Sequence, residues 1–131
     1  MPALPWVDKT PADADREYVV MASRLPLARH RYIPGFLRAV RSIRHQLAAA
    51  DGLIGYALDA RVLSKTFRTL SVWQSREALD AFSAANPHSA RVGEIRPRMR
   101  PTTFVFWTCK GSDVSVSWAE ARRRIDEEAA R

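Results

Sequence analysis

The chain has 131 residues, the size of one domain, and 47% of them are hydrophobic with only five glycines, which excludes disorder and low-complexity repeats for most of its length. Its single cysteine, Cys109, excludes an internal disulfide, and no Cys/His spacing matches a structural zinc site. The net charge of +7 comes from 21 basic and 14 acidic residues, but the arginines are spread over nearly every segment, with no lysine-rich tail or RNP-type motif, so nucleic acid is not an expected partner.

Met1 is followed by proline and charge, unlike a leader, and no apolar run approaches the roughly 18 residues of a membrane span. A cytoplasmic location without a membrane partner is expected. Residues 1–16, with Pro2, Pro5 and Pro11, are expected to be an extended or mobile arm that Trp6 can pin down, and the domain proper is expected over 17–131.

The β-branched run from Tyr18 to Leu25 predicts a first strand, stopped by Pro26. From Ile33 to Ala50 the spacing predicts a helix with Ile33, Phe36, Leu37, Val40, Ile43 and Leu47 on one face, ended by a turn at Asp51-Gly52. The same wheel sets Arg44 inside that apolar arc, where a guanidinium needs an anion, a carboxylate or a path to water. Two strand-like runs, Leu53 to Leu63 and Phe67 to Trp73, are expected to pair as a hairpin through residues 59–66. Ser75 is placed to cap a helix from Arg76 to Ala85, and Asn86-Pro87 to break it and open a short second helix that Pro97 and Pro101 end. The aromatic run from Thr102 to Cys109 predicts a last strand, and Ser117-Trp118-Ala119-Glu120 matches a capping box that opens a C-terminal helix.

This order, β-α-β-β-α(α)-β plus a terminal helix, is the α+β, ferredoxin-like βαββαβ arrangement with a four-stranded antiparallel sheet. The strands carry apolar residues toward both faces: Val19 and Met21 against Val20 and Ala22, Phe104 and Phe106 against Val105 and Trp107. Helices expected on one face leave the other to a second copy, so a homodimer is expected.

The segments Gly52-Leu53-Ile54-Gly55-Tyr56, Phe67 to Ser75, Glu77-Ala78-Leu79 with Phe82, His88, and Trp118-Ala119-Glu120-Ala121-Arg122 resemble the dimeric α/β-barrel superfamily, over about Tyr18 to Ile125. Within it the chain resembles antibiotic-biosynthesis-type monooxygenases and spheroidene-monooxygenase-like proteins, and above all a branch of unknown function. The resemblance implies a dimeric α/β barrel and either a monooxygenase-like enzyme, a haem protein, or a dimeric domain that binds a metabolite or protein without catalysis. Haem-degrading relatives place a tryptophan where Phe82 stands and a ligating histidine near Val92, so their activity does not carry over.

His88 shares a helix face with Val92 and Ile95 and is the candidate base, or the axial ligand if haem is bound; the alternative is a neutral histidine bonded to backbone. Arg44 and Arg68 are the candidates to stabilise developing negative charge, against snorkelling and strand-edge exposure. Met21, Arg24, Tyr56, Trp73, Phe82 and Trp107 are the candidates to line a pocket between helices and sheet for an aromatic or polyene compound, although such aromatics are more often core. No cofactor is the leading expectation, with haem the alternative.

Overall fold

A computed structural model describes residues 6–85, 88–114 and 117–131. Four strands form the antiparallel heart of the sheet: β2 (Glu17–Pro26), β3 (Leu53–Arg61), β4 (Thr66–Trp73) and β5 (Thr103–Lys110). A fifth, β1 (Val7–Asp8), adds to the edge of β3, so the spatial order is β1-β3-β4-β2-β5 and the sheet has five strands rather than the expected four. The arm is pinned by Trp6, whose indole lies against Gly55, a position with no room for a Cβ. The helices are α1 (Ile33–Leu47), α2 (Arg76–Ala84), α3 (His88–Ile95) and α4 (Trp118–Ala129).

Local signals place most boundaries. The Ser75 hydroxyl accepts the Ala78 N–H at 3.1 Å and the Ser117 hydroxyl accepts the Glu120 N–H at 3.2 Å, the two expected N-caps. α1 ends three residues early, at Leu47, and Gly52 takes a left-handed φ of 82° in the turn to β3. The Asn86-Pro87 break lies outside the described residues.

Cross-strand register assigns the faces. Val19, Met21, Leu25, Phe67 and Trp73 point to one side, where α1 and α2 pack: Phe36 stacks on Phe67 with ring centroids 4.4 Å apart, and Leu47, Leu53, Trp73 and Leu79 form a second cluster. Tyr18, Val20, Ala22, Leu70 and Val72 point to the other side, joined by Ile54 where a bulge in β3 adds a residue. That second face is covered within the chain: Ala121 and Ile125 of α4 are fully buried on it, and Trp6, Ala12, Val114 and Trp118 pack around them. The two-faced apolar pattern therefore has an intramolecular explanation, and the expectation that this face needs a second copy loses its physical reason. Within the strands of the sheet, open apolar surface lies on β5, an edge strand, where Phe104 and Phe106 are 49% and 43% exposed beside Met21 on the α1 side.

Candidate functional site

A cleft of about 800 Å³ lies between helix α2 and the C-terminal half of α1 with the turn that follows it, within the size range of roughly 300–1,000 Å³ usual for small-molecule sites. Its walls are largely apolar, from Ala49, Ala50, Ala78, Ala81, Phe82 and Ala85, with Ser42, His45, Gln46, Asp51 and Gln74 as polar groups. Small side chains facing each other across two helices make the opening. Sequence reasoning missed it because alanine at an amphipathic position reads equally well as core.

His88 opens α3 directly behind this cleft. Its backbone N–H donates to the Gln46 Oε1 at 2.7 Å, and the Gln46 amide donates to the Phe82 carbonyl at 3.2 Å, so one α1 side chain ties the end of α2 to the start of α3. The His88 Nδ1 is 3.1 Å from the Ser83 carbonyl. A carbonyl only accepts, so Nδ1 carries the proton and Nε2 keeps its lone pair. The imidazole is half-buried, 5.1 Å from the Phe82 ring, and burial pushes it below its ordinary value, with the Ser83 carbonyl acting in the opposite direction. A neutral imidazole with its proton on Nδ1, and with no partner for Nε2 among the described residues, can take a proton or bind a metal.

The other expected members do not gather here. Phe82 lines the cleft, and Trp73 stacks behind it at 5.2 Å but is 1% exposed and belongs to the core with Met21 and Tyr56. The Trp73 indole N–H donates to the Ser71 hydroxyl at 2.9 Å, a buried pair that leaves the indole no polar group to offer a ligand. Trp107, Arg24 and Arg68 sit on the opposite, α4-covered face, so the sheet separates them from His88. Arg44 is exposed on the flank of α1. The buried stripe of that helix is centred on Phe36, Ile43 and Leu47 and extends to Ala39, which leaves Leu37 and Arg44 together on the far margin. Cys109 faces α4, and burial, followed by Asp113 and Glu120, raises its thiol, as suits a packed side chain.

Arg68 has a different occupation. It stands directly across from Asp59 on β3, a carboxylate with no exposed surface. Arg122 of α4 donates to the Asp59 Oδ2 at 3.0 Å, with Arg61 at 3.6 Å and Arg68 at 3.8 Å from the same oxygen. Burial lowers the Arg68 guanidinium from its ordinary value, and Asp59 offsets this. This cluster ties α4 to the sheet and was not visible in the sequence, where Asp59 and Arg122 are 63 residues apart.

Among the described residues no group of three His, Cys, Asp or Glu side chains is placed to hold a metal ion. The residues present fit haem poorly. The cleft has no arginine or lysine in its walls to meet propionates, and the Phe82 ring occupies the flank of His88.

No protein-family model matches the sequence, and no curated protein does. Solved structures do. An antibiotic biosynthesis monooxygenase superposes with a TM-score of 0.62 at 18% identity over 68% of this chain and 95% of its own. A Lactobacillus acidophilus protein assigned as a monooxygenase gives 0.63 at 12% identity over 81% of this chain, which spans about half (51%) of that protein's length. A variant of SnoaB, a cofactor-independent oxygenase of Streptomyces nogalater, gives 0.53 at 14% identity over 70% of this chain and 92% of its own. Identities this low establish the fold rather than the chemistry, and the chain has the ferredoxin-like α+β fold of the antibiotic-biosynthesis-type monooxygenases.

Proposed function

We propose that this chain is a monooxygenase-like enzyme that needs no cofactor and acts on an electron-rich aromatic or polyene compound in the cleft between α1 and α2. The observation that supports the reading is the largely apolar cleft together with the His88 imidazole just behind its Gln46 and Phe82 wall, where the Nδ1 proton faces the Ser83 carbonyl and a turn of the Phe82 ring would bring Nε2 to a bound compound. Such a base removes an acidic proton from the substrate, and the resulting anion reacts with dioxygen. In the balance, two substrate hydrogens leave with one oxygen atom as water and the other oxygen atom enters the product. Gln46 is the positioning residue, since it fixes the helix start that carries His88.

The test is oxygen uptake by the purified chain with anthrone as the probe and no added cofactor, comparing wild type with His88→Ala and with the conservative His88→Gln. Loss of the base lowers kcat by about 100-fold or more, with both variants folded by circular dichroism. Unchanged kcat in both would remove His88 from the reaction.

A second reading is a domain that binds a metabolite without transforming it. It is supported by the close packing between α1 and the sheet, where Phe36, Phe67 and Trp73 leave the opening to the helix pair alone. Saturable heat of anthrone binding without oxygen uptake is its signature. We further propose that the homodimer forms through the exposed edge strand β5 and its Phe104 and Phe106 side chains.

A further inference from the structure

Five arginines and a lysine that lie far apart in the sequence meet at one end of the molecule. Three separate segments meet there. The first follows β2 and carries Arg29, His30 and Arg31; the second is the β3–β4 turn with Val62, Leu63 and Lys65; the third runs from Arg96 to Arg100. Their backbones are stitched together. The Leu27 N–H donates to the Lys65 carbonyl at 2.8 Å, the Ala28 N–H to the Arg98 carbonyl at 2.9 Å, and the Arg100 N–H to the Pro26 carbonyl at 2.8 Å. The His30 Nε2 meets the Leu63 carbonyl at 3.0 Å, which fixes the turn beside the first segment.

Arg29, Arg31, Lys65, Arg96, Arg98 and Arg100 thus share one end, and five of them are fully at the surface. Among the described residues none of the six is in an ion pair, and neither are Lys9, Arg16, Arg38, Arg41, Arg44 and Lys110; what sets the six apart is that three segments bring them to one end. The field they make is felt locally: Tyr32 lies 5.3 Å from the Arg31 guanidinium and 5.5 Å from that of Arg98, and its phenol is lowered first by the Arg31 hydrogen bond and charge, then by Arg29 and Arg98.

Set among these cations is a hydrophobic point. Leu63, at the apex of the turn, is 93% exposed, and Val62 beside it is 49% exposed. Scattered exposed aliphatics are ordinary; an aliphatic apex ringed by unpaired cations is a combination with a specific use. A nucleic acid offers the cations a partner but leaves the aliphatic apex in water. An anionic bilayer satisfies both, because the phosphate headgroups meet the arginines while Val62 and Leu63 reach the acyl boundary. We propose that this end of the molecule docks on the surface of a membrane rich in anionic phospholipid, with the β3–β4 turn inserted and the six basic side chains against the headgroups. The sequence-based expectation of no membrane partner rested on the lack of a spanning segment, and no described helix is long and apolar enough to cross. Surface docking requires none.

The experiment is co-sedimentation of the full chain with vesicles of phosphatidylcholine mixed with phosphatidylglycerol, and with vesicles of phosphatidylcholine alone. Binding is expected to the mixed vesicles only and to weaken as salt is added. Leu63→Asp, at a position whose side chain touches little of the fold, should weaken partitioning about tenfold, and the double variant Arg29→Gln/Arg31→Gln about twentyfold, both with wild-type circular dichroism. Equal partitioning of wild type and Leu63→Asp would overturn insertion of the turn. No partitioning at all would overturn the docking, and retardation of duplex DNA by a chain that ignores the mixed vesicles would assign the basic end to nucleic acid instead.

Discussion

At His88 the same local packing that positions the ring also sets its charge. In the unfolded chain a histidine titrates near 6.5, and burial lowers this one in the fold. Between the two values the unfolded chain binds more protons, so stability rises with pH; the contribution is full above about 6.5 and is lost as pH falls through the folded value. Urea midpoints of wild type and His88→Gln, followed from about pH 8 to pH 5, should therefore converge on the acid side as the wild type loses this term. Midpoints that fall in parallel would show that the ring titrates as it does in water. His88 was legible from the sequence, because its helix spacing with Val92 and Ile95 pointed it inward. Asp59 was not. In the run from Leu53 to Arg61 an aspartate at a strand end reads as a surface residue, and only the approach of Arg68 and Arg122 makes a buried carboxylate tolerable there. Arg44 went the other way, since a helical wheel places a residue to within the width of an apolar stripe and Arg44 sits on its margin.

Among the elements, α4 carries the most consequence. It is the most polar of the helices, and its sequence shows a capping box and a weakly amphipathic, charge-rich segment. Yet Ala121 and Ile125, at i and i+4, are fully buried and close the second face of the sheet, while Arg122 reaches Asp59 and Arg124 lies 4.5 Å over the Trp107 ring. Only two of its twelve residues are fully buried; they suffice because Trp118 packs beside them and the strands below supply Val20, Leu70 and Val72. Ile125→Ala should cost about 2–5 kcal/mol in urea unfolding, whereas the exposed Glu127→Ala should stay within about 0.5 kcal/mol of wild type. Equal midpoints for the two variants would mean that α4 does not close the sheet. The strands and the other helices were easier to read, since period-2 alternation, Ser75, Gly52 and Ser117 are all local signals.

For the whole molecule, covering the second sheet face from within moves the proposed twofold contact to β5. Light scattering of the wild type should give twice the 14.8 kDa chain mass, and Phe104→Lys/Phe106→Lys should return it to a monomer without lowering its melting temperature. A monomeric wild type at high concentration would rule this contact out. The sequence by itself determined the αβ order, the caps, the turn at Gly52 and the inward histidine, because each depends on residues within a few positions of one another. The tertiary structure alone decided which layer covers which face, where an opening remains, that Arg68 is committed to Asp59 rather than to the cleft, and that Arg29, Arg31, Lys65, Arg96, Arg98 and Arg100 share one end. Those outcomes depend on contacts between segments tens of residues apart, such as the meeting of Arg29–Arg31, Leu63–Lys65 and Arg96–Arg100. Periodicity fixes the side of an element on which a residue lies, but not what the folded chain brings opposite it.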